Sequence, residues 1–310
     1  MNSFFDPALL EAGGVAFIRE DKVDEALRLL IPNAHITKGS FTCPGYSEPR
    51  DLLWNHMDQM HRPYIHRTYN EAARISIGRR TAFSLTRFGR WPAVIPVFDG
   101  HFRENGFYQI LCLFGLIVVV NVIECKTEDA QTRMEIGWAI ASHRLLRFLH
   151  PWLHRRLIRL NIVQNAEDEE IRKRRTELRA SNYRFMTDAP DFVNANVKSN
   201  NVVYPPLAKG QSFPIGEPDG KPRQIDVGDR MYIIRHLGET VEVFPGVCPH
   251  EGAHLGPDDV KGGTVKCRWH GLEFGPRRLK RGDPAVTVCG ARLELYADTL
   301  RITPTEAVSS

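Results

Sequence analysis

Apolar and polar residues follow strand-like patterns in four segments of the first half of the chain. These segments are TAFSLTRF (81–88), AVIPVFDG (93–100), YQILCLFGLIVVVNVIE (108–124) and RMEIGWAIA (133–141). Short runs of β-branched and aromatic residues bounded by turn residues predict antiparallel strands. The most apolar run, residues 110–126, is too short to cross a bilayer and contains Asn121 and Glu124. It therefore predicts one or two buried strands.

Two stretches with helical periodicity flank these strands, one around residues 52–72 and the other from His143 to Ser181. The second places many arginines among leucines. This pattern suits a membrane-surface helix, a dock for an acidic redox partner, or an amphipathic helix packed on its own domain. Pro151 interrupts the pattern and disfavours one uniform helix lying on a membrane. A sheet capped by such helices predicts an α+β domain.

The character of the chain changes near Pro205. The stretch 204–224 is rich in proline and glycine, and it is followed by short alternating segments such as RMYIIRHL (230–237), ETVEVFPGV (239–247) and TLRITP (299–304). Such segments separated by turns predict an all-β module. We therefore expect two domains, residues 1–204 and 205–310.

Composition adds few constraints. The 310 residues are 42% hydrophobic and 25% charged, as in an ordinary soluble globular protein. A net charge of +4 is too small to indicate nucleic-acid binding. The N-terminal MNSFFDPALLEAGG lacks the features of a signal peptide, so a cytoplasmic location is the simplest expectation. Paired cysteines in that compartment favour metal ligation over disulfides.

Two cysteines stand in a ligand-like context. CPHEGAHLG (248–256) and CRWHG (267–271) give Cys-x-His, sixteen intervening residues and Cys-x-x-His. Two thiolates and two imidazoles suit a zinc ion or a [2Fe-2S] cluster. In zinc sites one segment usually supplies two cysteines and another supplies two histidines, whereas each segment here offers one cysteine and one histidine. This arrangement favours a cluster.

The pair of motifs resembles the Rieske [2Fe-2S] family. By that resemblance Cys248 and Cys267 bind one iron, while His250 and His270 bind the other. Imidazole ligation raises the reduction potential relative to all-thiolate clusters, into a range of about −150 to +300 mV. The resemblance thus implies a one-electron carrier.

A second motif, NHMDQMHRPYIH, covers residues 55–66. The spacing of Asn55, Asp58, His61 and His66 is similar to the iron-site motif of the Rieske non-haem iron oxygenases, which implies a mononuclear Fe(II) bound by the last two. On a straight helix, side chains five residues apart point about 140° away from each other. We therefore expect a kink at Pro63 or a π-type bulge. His56 lies outside the motif and is expected to be a surface or outer-shell residue.

The resemblance also implies a carboxylate ligand from a distant segment. The pattern "ED..I" in VQNAEDEEIRKRR is similar to the family's late Glu-Asp segment and points to Asp168, with Glu167 and Glu170 as alternatives. A run of acids is also typical of a solvated helix N-terminus. By resemblance, Asp58 links the cluster histidines to the iron histidines through hydrogen bonds, often across subunits.

The resemblance implies a helix-grip (START-like) catalytic domain followed by an all-β Rieske domain, in the reverse of the usual family order. The implied activity is O₂-dependent hydroxylation, demethylation or desaturation of an organic substrate. Electrons would come from a separate ferredoxin or NAD(P)H-dependent reductase, and a homotrimer is the assembly common in the family. Apolar strand residues near FYQILCLFGLIVVV predict a mostly hydrophobic substrate.

Two other functions fit the same residues. One is a non-catalytic Rieske electron-transfer module fused to a ligand-binding helix-grip domain, in which the histidine segment is merely polar. The other is a zinc-stabilised interaction protein.

Overall fold

The structure, a computed structural model, describes residues 23–45, 47–77, 81–88, 93–103, 106–128, 131–189 and 200–305. The chain divides into two compact units that meet between Lys173 and Arg174. This division falls inside a helix and precedes the predicted domain boundary at residues 204 and 205. The difference arises because Leu178 and Phe185 are buried together with Val247 of the second unit.

The N-terminal unit is built on seven long strands. They are β1 (Ala34–Gly45), β2 (Tyr69–Ile77), β3 (Thr81–Phe88), β4 (Val94–Arg103), β5 (Gly106–Leu113), β6 (Ile117–Glu128) and β7 (Gln131–His143). They form one antiparallel sheet in the order β1-β7-β6-β5-β4-β3-β2. All four predicted strand segments are confirmed, and the most apolar run forms β5, a turn and β6. β1 and β2 were not predicted.

Within the described residues, the α-helices of this part of the chain are α1 (Val23–Leu30), α2 (Pro49–Met57), α3 (Arg62–Ile65) and α4 (His150–Ala180). Pro151 does not interrupt α4, because it lies in the first turn, where a proline costs no hydrogen bond. Leu52 of α2 and Leu153 of α4 share a buried core with sheet residues such as Phe107 and Ile136. A long helix packed on an antiparallel sheet is the helix-grip arrangement, and the predicted α+β class is confirmed.

Gly39 of β1 permits the close approach of α4 to the sheet. It pairs with Trp138 of β7. A Cβ atom on Gly39 would lie 2.5 Å from His154 Cε1 and 2.5 Å from Trp138 Cζ2. Any larger residue would therefore displace the indole or the helix.

The all-β module predicted for residues 205–310 is confirmed, and after the last turns of α4 the described part of the C-terminal unit consists mainly of β-strands. Its strands are β8 (Arg184–Phe185), β9 (Val202–Val203), β10 (Gln211–Pro214), β11 (Arg223–Val227), β12 (Arg230–Leu237), β13 (Thr240–Pro245), β14 (Val260–Lys261), β15 (Thr264–Lys266), β16 (Glu273–Phe274), β17 (Arg277–Lys280), β18 (Val286–Val288), β19 (Ala291–Tyr296) and β20 (Thr299–Pro304). The larger sheets have the orders β11-β12-β13-β17 and β10-β20-β19-β18, and β14-β15-β16 forms a third. The loops after β13 and β15 carry the two Cys/His motifs.

Among the helices that the structure describes, none combines the length and apolar character needed to cross a bilayer.

Candidate functional site

The motif at residues 55–66 folds as two short helices with a break between them. α2 ends at Met57, and Asp58 leaves the helical region with φ −81° and ψ 72°. A single 3₁₀ turn (Gln59–His61) leads into α3, and His66 follows in extended conformation. The predicted distortion is present, but its predicted cause is wrong. Pro63 lies in the first turn of α3, which tolerates proline, and the helix predicted for residues 52–72 ends before β2.

This break brings His61 and His66 to the same carboxylate. The Nε2 atom of each imidazole lies 3.3 Å from Oδ1 of Asp168, which projects from α4. One ligand atom from each of the three residues fits within a 4.8 Å separation, and all three residues are buried. Two imidazoles and a carboxylate in this arrangement can hold a divalent metal ion.

The acidic residues at positions 167–170 of α4 point in different directions around the helix and have different partners. Glu167 accepts a 3.0 Å hydrogen bond from Nδ1 of His66. Glu169 pairs with Arg172 at 3.4 Å, and Glu170 is exposed. Of the three candidates, Asp168 therefore faces both Nε2 atoms, while Glu167 supports an imidazole from behind.

The outer nitrogens of both imidazoles are held by hydrogen bonds. Nδ1 of His61 donates to the backbone carbonyl oxygen of Asp58, whose carboxylate lies 3.7 Å from the same nitrogen. Nδ1 of His66 donates to Glu167. Because a proton on Nδ1 leaves the Nε2 lone pair available, these contacts select the tautomer that a metal needs. The residues present thus fit a metal ion.

The charge state of the metal-free triad follows from its burial and its pairing. Burial alone would lower the pKa of His61, but hydrogen bonds and charges from Asp168 and Asp58 outweigh it and raise the pKa to about 8. Burial lowers the pKa of His66. Burial would raise the pKa of Asp168, yet its contacts with the imidazoles bring it below the ordinary value. The metal-free triad at neutral pH therefore holds one imidazolium paired with one carboxylate.

Metal binding at the triad should depend on pH, because a metal must displace the His61 proton. Below about pH 8 the apparent Fe(II) affinity is expected to rise about tenfold per pH unit, and above it to level off. Anaerobic equilibrium dialysis across this range measures the effect. In Asp168→Asn, the pH at which the affinity levels off should move down toward the ordinary pKa of histidine. An affinity independent of pH would contradict this assignment.

A cleft adjoins the triad, and this cavity encloses about 460 Å³ when its solvent-open part is included. Its described lining residues are Asn55, His56, His61, Arg62, His66, Phe107, Gln109, Asn121, Ile123, Asn161, Gln164, Asn165 and Asp168. Only Phe107 and Ile123 in this set are apolar. The predicted hydrophobic pocket is therefore wrong for this cavity. The prediction failed because the apolar residues of β5 and β6 pack largely into the core, while Gln109 and Asn121 reach the cavity.

The polar lining is organised as a network. Asn121 donates to Gln109 at 3.3 Å, Gln109 donates to Asp99 at 2.9 Å, and Arg62 donates to Asp99 at 2.9 Å. Asn55 donates to Asp168 at 3.4 Å. The buried side-chain oxygens of Asn55 and Asn121 have no hydrogen-bond partner within the described parts of the chain. Such atoms favour a ligand that supplies hydrogen-bonding groups.

His56 is not a surface residue. Its ring stacks on Phe107 with centroids 4.3 Å apart and lines the cavity. Burial lowers the pKa of His56 to about 3, so the imidazole is neutral.

In the C-terminal unit, the two Cys/His segments form similar tight loops. The carbonyl oxygen of Cys248 accepts from Gly252 N–H at 2.9 Å, and that of Cys267 accepts from Gly271 N–H at 2.9 Å. Both glycines have positive φ, of 90° and 67°, which favours glycine at these positions. Each loop therefore projects its cysteine and its histidine from one turn.

The two loops bring the two histidines together and the two cysteines together. Nδ1 of His250 lies 3.3 Å from Nδ1 of His270, and the two rings meet edge to face. The Cys248 thiol hydrogen-bonds to Cys267, which lowers the pKa of Cys267 to about 5, while burial raises the pKa of Cys248. A thiol pair beside an imidazole pair fits a cluster with one iron on each side.

A segment before the motifs supports the first loop. The backbone N–H groups of Asn201 and Val202 donate to the carbonyl oxygen of Pro249 at 2.9 and 3.0 Å. Tyr204 OH donates to the carbonyl oxygen of Val247 at 2.6 Å. Sequence reasoning missed this support, because nothing in the spacing of these residues signals it.

A buried ion pair completes the support. Arg175 Nη1 lies 2.5 Å from Glu251 Oε2, and both residues are at most 1% exposed. Asn201 donates to the other oxygen of Glu251 at 2.8 Å, and that oxygen lies 3.8 Å from Nε2 of His250. The guanidinium stacks on Phe185, 3.7 Å from the ring centroid. The position of His250 thus depends on a charge pair that begins in α4.

Residues 208–297 match the Rieske [2Fe-2S] domain family. This part of the chain is therefore a Rieske domain, which implies a [2Fe-2S] cluster and iron-sulfur electron transfer. The N-terminal unit lies outside the match. No curated protein sequence matches the chain significantly.

Three solved structures illustrate the structural similarity. The di-domain ARO/CYC StfQ from the steffimycin biosynthetic pathway has a TM-score of 0.41 at 7% identity, over 52% of this chain and 56% of StfQ. The Zhui aromatase/cyclase from Streptomyces sp. R1128 has 0.30 at 9% identity, over 34% and 68%. Norcoclaurine synthase from Thalictrum flavum has 0.31 at 8% identity, over 38% and 76%. The chain thus spans little more than half of StfQ, and these similarities carry no conclusion about function.

Proposed function

We propose that this chain is a Rieske-type oxygenase, in which the [2Fe-2S] cluster supplies electrons to a mononuclear non-haem Fe(II) at His61, His66 and Asp168. The observation that carries the proposal is the buried triad, whose ligand atoms lie within 4.8 Å of one another in a chain that also contains a Rieske domain. A bound Fe(II) with two imidazoles and one carboxylate would supply O₂ activation for hydroxylation, demethylation or desaturation.

The residues around the triad have separate roles in this proposal. Asp58, through its carbonyl oxygen, and Glu167, through its carboxylate, keep the Nδ1 protons of the two histidines in place, which orients both Nε2 atoms. Asn55 donates to Asp168 and restrains the carboxylate. The further role of Asp58 as a link to the cluster histidines stays a prediction.

In the Rieske domain we assign Cys248 and Cys267 to one iron, and His250 and His270 to the other. The support is the pairing of the two thiols and the 3.3 Å approach of the two Nδ1 atoms. Burial of all four side chains keeps water from these ligands.

The substrate is best sought among small organic molecules with hydrogen-bonding groups. The cavity beside the triad is lined mainly by amides and imidazoles, which suit a ligand with polar groups. The amide side chains in this lining, such as Gln109 and Gln164, would exchange hydrogen bonds with such a substrate. A polar substrate replaces the hydrophobic one that the sequence predicted.

O₂ and an external electron donor are needed, because the cluster holds one electron and must be reduced again after each transfer. A ferredoxin or an NAD(P)H-dependent reductase has the required chemistry. A homotrimer stays a prediction.

A second candidate is a Rieske electron carrier with a ligand-binding helix-grip domain and no mononuclear iron. It is favoured by the 3.3 Å contacts of Asp168 with both Nε2 atoms, because side chains that pair with one another can also be a purely structural polar cluster.

Nitric oxide distinguishes the two candidates, since it is a diatomic stand-in for O₂ and gives a paramagnetic complex with accessible Fe(II). Anaerobic protein supplied with Fe(II) and nitric oxide should show this signal by electron paramagnetic resonance. His66→Ala should abolish it, and His56→Ala should retain it, because His56 lines the same cavity outside the triad. A wild-type protein without the signal would favour the electron carrier.

A further inference from the structure

Residues 143–166 contain five arginines, three histidines and no acidic residue. The structure exposes the arginines together with large apolar side chains. We call this surface the basic apolar strip, and its members are Arg144, Leu145, Arg147, Phe148, Trp152, Arg155, Arg156, Arg159, Ile162 and Val163. Leu145 is 72% exposed and Phe148 is 70% exposed. Exposed apolar side chains that cluster in one segment of the chain, unlike ones scattered singly, are candidates for an interaction surface.

The α4 part of the strip follows one helical face. Trp152, Arg155, Arg156, Arg159, Ile162 and Val163 recur at intervals of three and four residues, which places them on one side of a helix. The opposite side holds buried Leu153 and Asn161. The exposed side is therefore a continuous stripe of arginine between aromatic and aliphatic residues.

The strip continues at one end of the sheet. The 3₁₀ helix Arg144–Leu149 follows β7 directly, and Arg144 N–H donates to the carbonyl oxygen of Asn33 at 3.2 Å. Ile117 pairs with Ser142, which places the turn residue Leu116 at the same end of the sheet. Leu116 and Leu30 are 60% and 72% exposed. Exposed apolar side chains from separate segments thus lie at the end of the sheet where the 3₁₀ helix begins.

The positive charge of the strip is uncompensated within the described residues. None of its five arginines forms an ion pair there, whereas Arg172 and Arg175 of the same helix pair with Glu169 and Glu251. The strip therefore presents an anion-attracting surface with apolar side chains among the charges.

We infer that the basic apolar strip binds the surface of an anionic lipid bilayer. Arginines attract lipid phosphates, and neighbouring Trp, Phe and Leu side chains enter the boundary between headgroups and acyl chains. A second copy of the chain is a poorer occupant, because a two-fold contact would place arginines against arginines. An acidic protein surface would pair with the arginines, but an anionic bilayer surface also buries apolar side chains such as Leu145 and Phe148.

Vesicle flotation of the full-length, cluster-containing protein tests the inference. Vesicles of phosphatidylglycerol and phosphatidylcholine are compared with vesicles of phosphatidylcholine alone, at low and high salt. Binding is expected only with phosphatidylglycerol and should weaken with salt. Replacing Arg155, Arg156 and Arg159 together by glutamine should lower the partition coefficient about 100-fold, and Trp152→Ala should also lower it.

A matched control removes the same charge elsewhere. Arg277, Arg292 and Arg301 are exposed in the C-terminal unit, and their joint replacement by glutamine should leave partitioning within about fivefold of wild type. The inference is overturned if wild type does not float with phosphatidylglycerol vesicles, or if both triple variants lose binding equally. Salt-sensitive capture of an acidic protein without vesicle binding would also overturn it and assign the strip to a protein partner.

Discussion

Replacing Arg175 with methionine is expected to destabilise the C-terminal unit by about 3 to 5 kcal/mol, because it leaves the Glu251 carboxylate buried without its guanidinium. The damage should concentrate at the first cluster loop, since Glu251 follows His250 directly. Hydrogen exchange at the Asn201 and Val202 amides, which donate to Pro249, reports on this loop. Their protection should fall about 100-fold or more.

The double variant Arg175→Met, Glu251→Gln separates charge from shape. It removes both charges while a neutral amide still reaches Asn201, so it should recover at least half of the lost stability. If the single variant costs less than about 1 kcal/mol, or the double variant is no more stable than the single, then the ion pair does not support the loop.

The second large effect is expected at the triad. His61→Ala and Asp168→Ala each remove a proposed ligand. Loss of an outer-shell partner costs about 10-fold to 100-fold in metal affinity, and we expect the Fe(II) affinity of these two variants to fall further than that. For Glu167→Gln the loss of Fe(II) affinity should stay within about 10-fold to 100-fold, because Glu167 contacts only the outer nitrogen of His66. Anaerobic dialysis of the same preparations measures all three.

His56→Ala is the matched control for these variants. It removes an imidazole from the same segment and the same cavity, but from outside the triad. It should leave the Fe(II) affinity unchanged. An equal loss in His56→Ala and His61→Ala would mean that folding of the segment, and not ligation, sets the affinity.

The strands and motifs were predictable because their signals are local. TAFSLTRF and TLRITP coincide with β3 and β20 residue for residue. β1 was missed because Lys38, Gly39 and Ser40 interrupt its pattern, and its long pairing with β7 is a tertiary property. The alanines of β2 look helical in sequence, and their strand conformation follows from pairing with β3.

The candidate site also has parts that local sequence signals predict and parts that only tertiary packing determines. Motif spacing selected His61 and His66, but only packing decides which acid of the run at residues 167–170 faces them. The polar cavity did carry a signal in sequence. Asn161, Gln164, Asn165 and Asp168 recur at helical spacing on α4, and they mark an amide-rich face that points at the triad.

We propose that this chain carries a [2Fe-2S] cluster and a separate mononuclear iron. The amounts of iron and acid-labile sulfide per chain, measured on anaerobically purified protein, distinguish this composition from a cluster alone. We expect about three irons and about two sulfides in wild type, and about two of each in His61→Ala. About two irons and about two sulfides in wild type, unchanged after reconstitution with Fe(II), would contradict the account and leave an electron carrier without an oxygenase site.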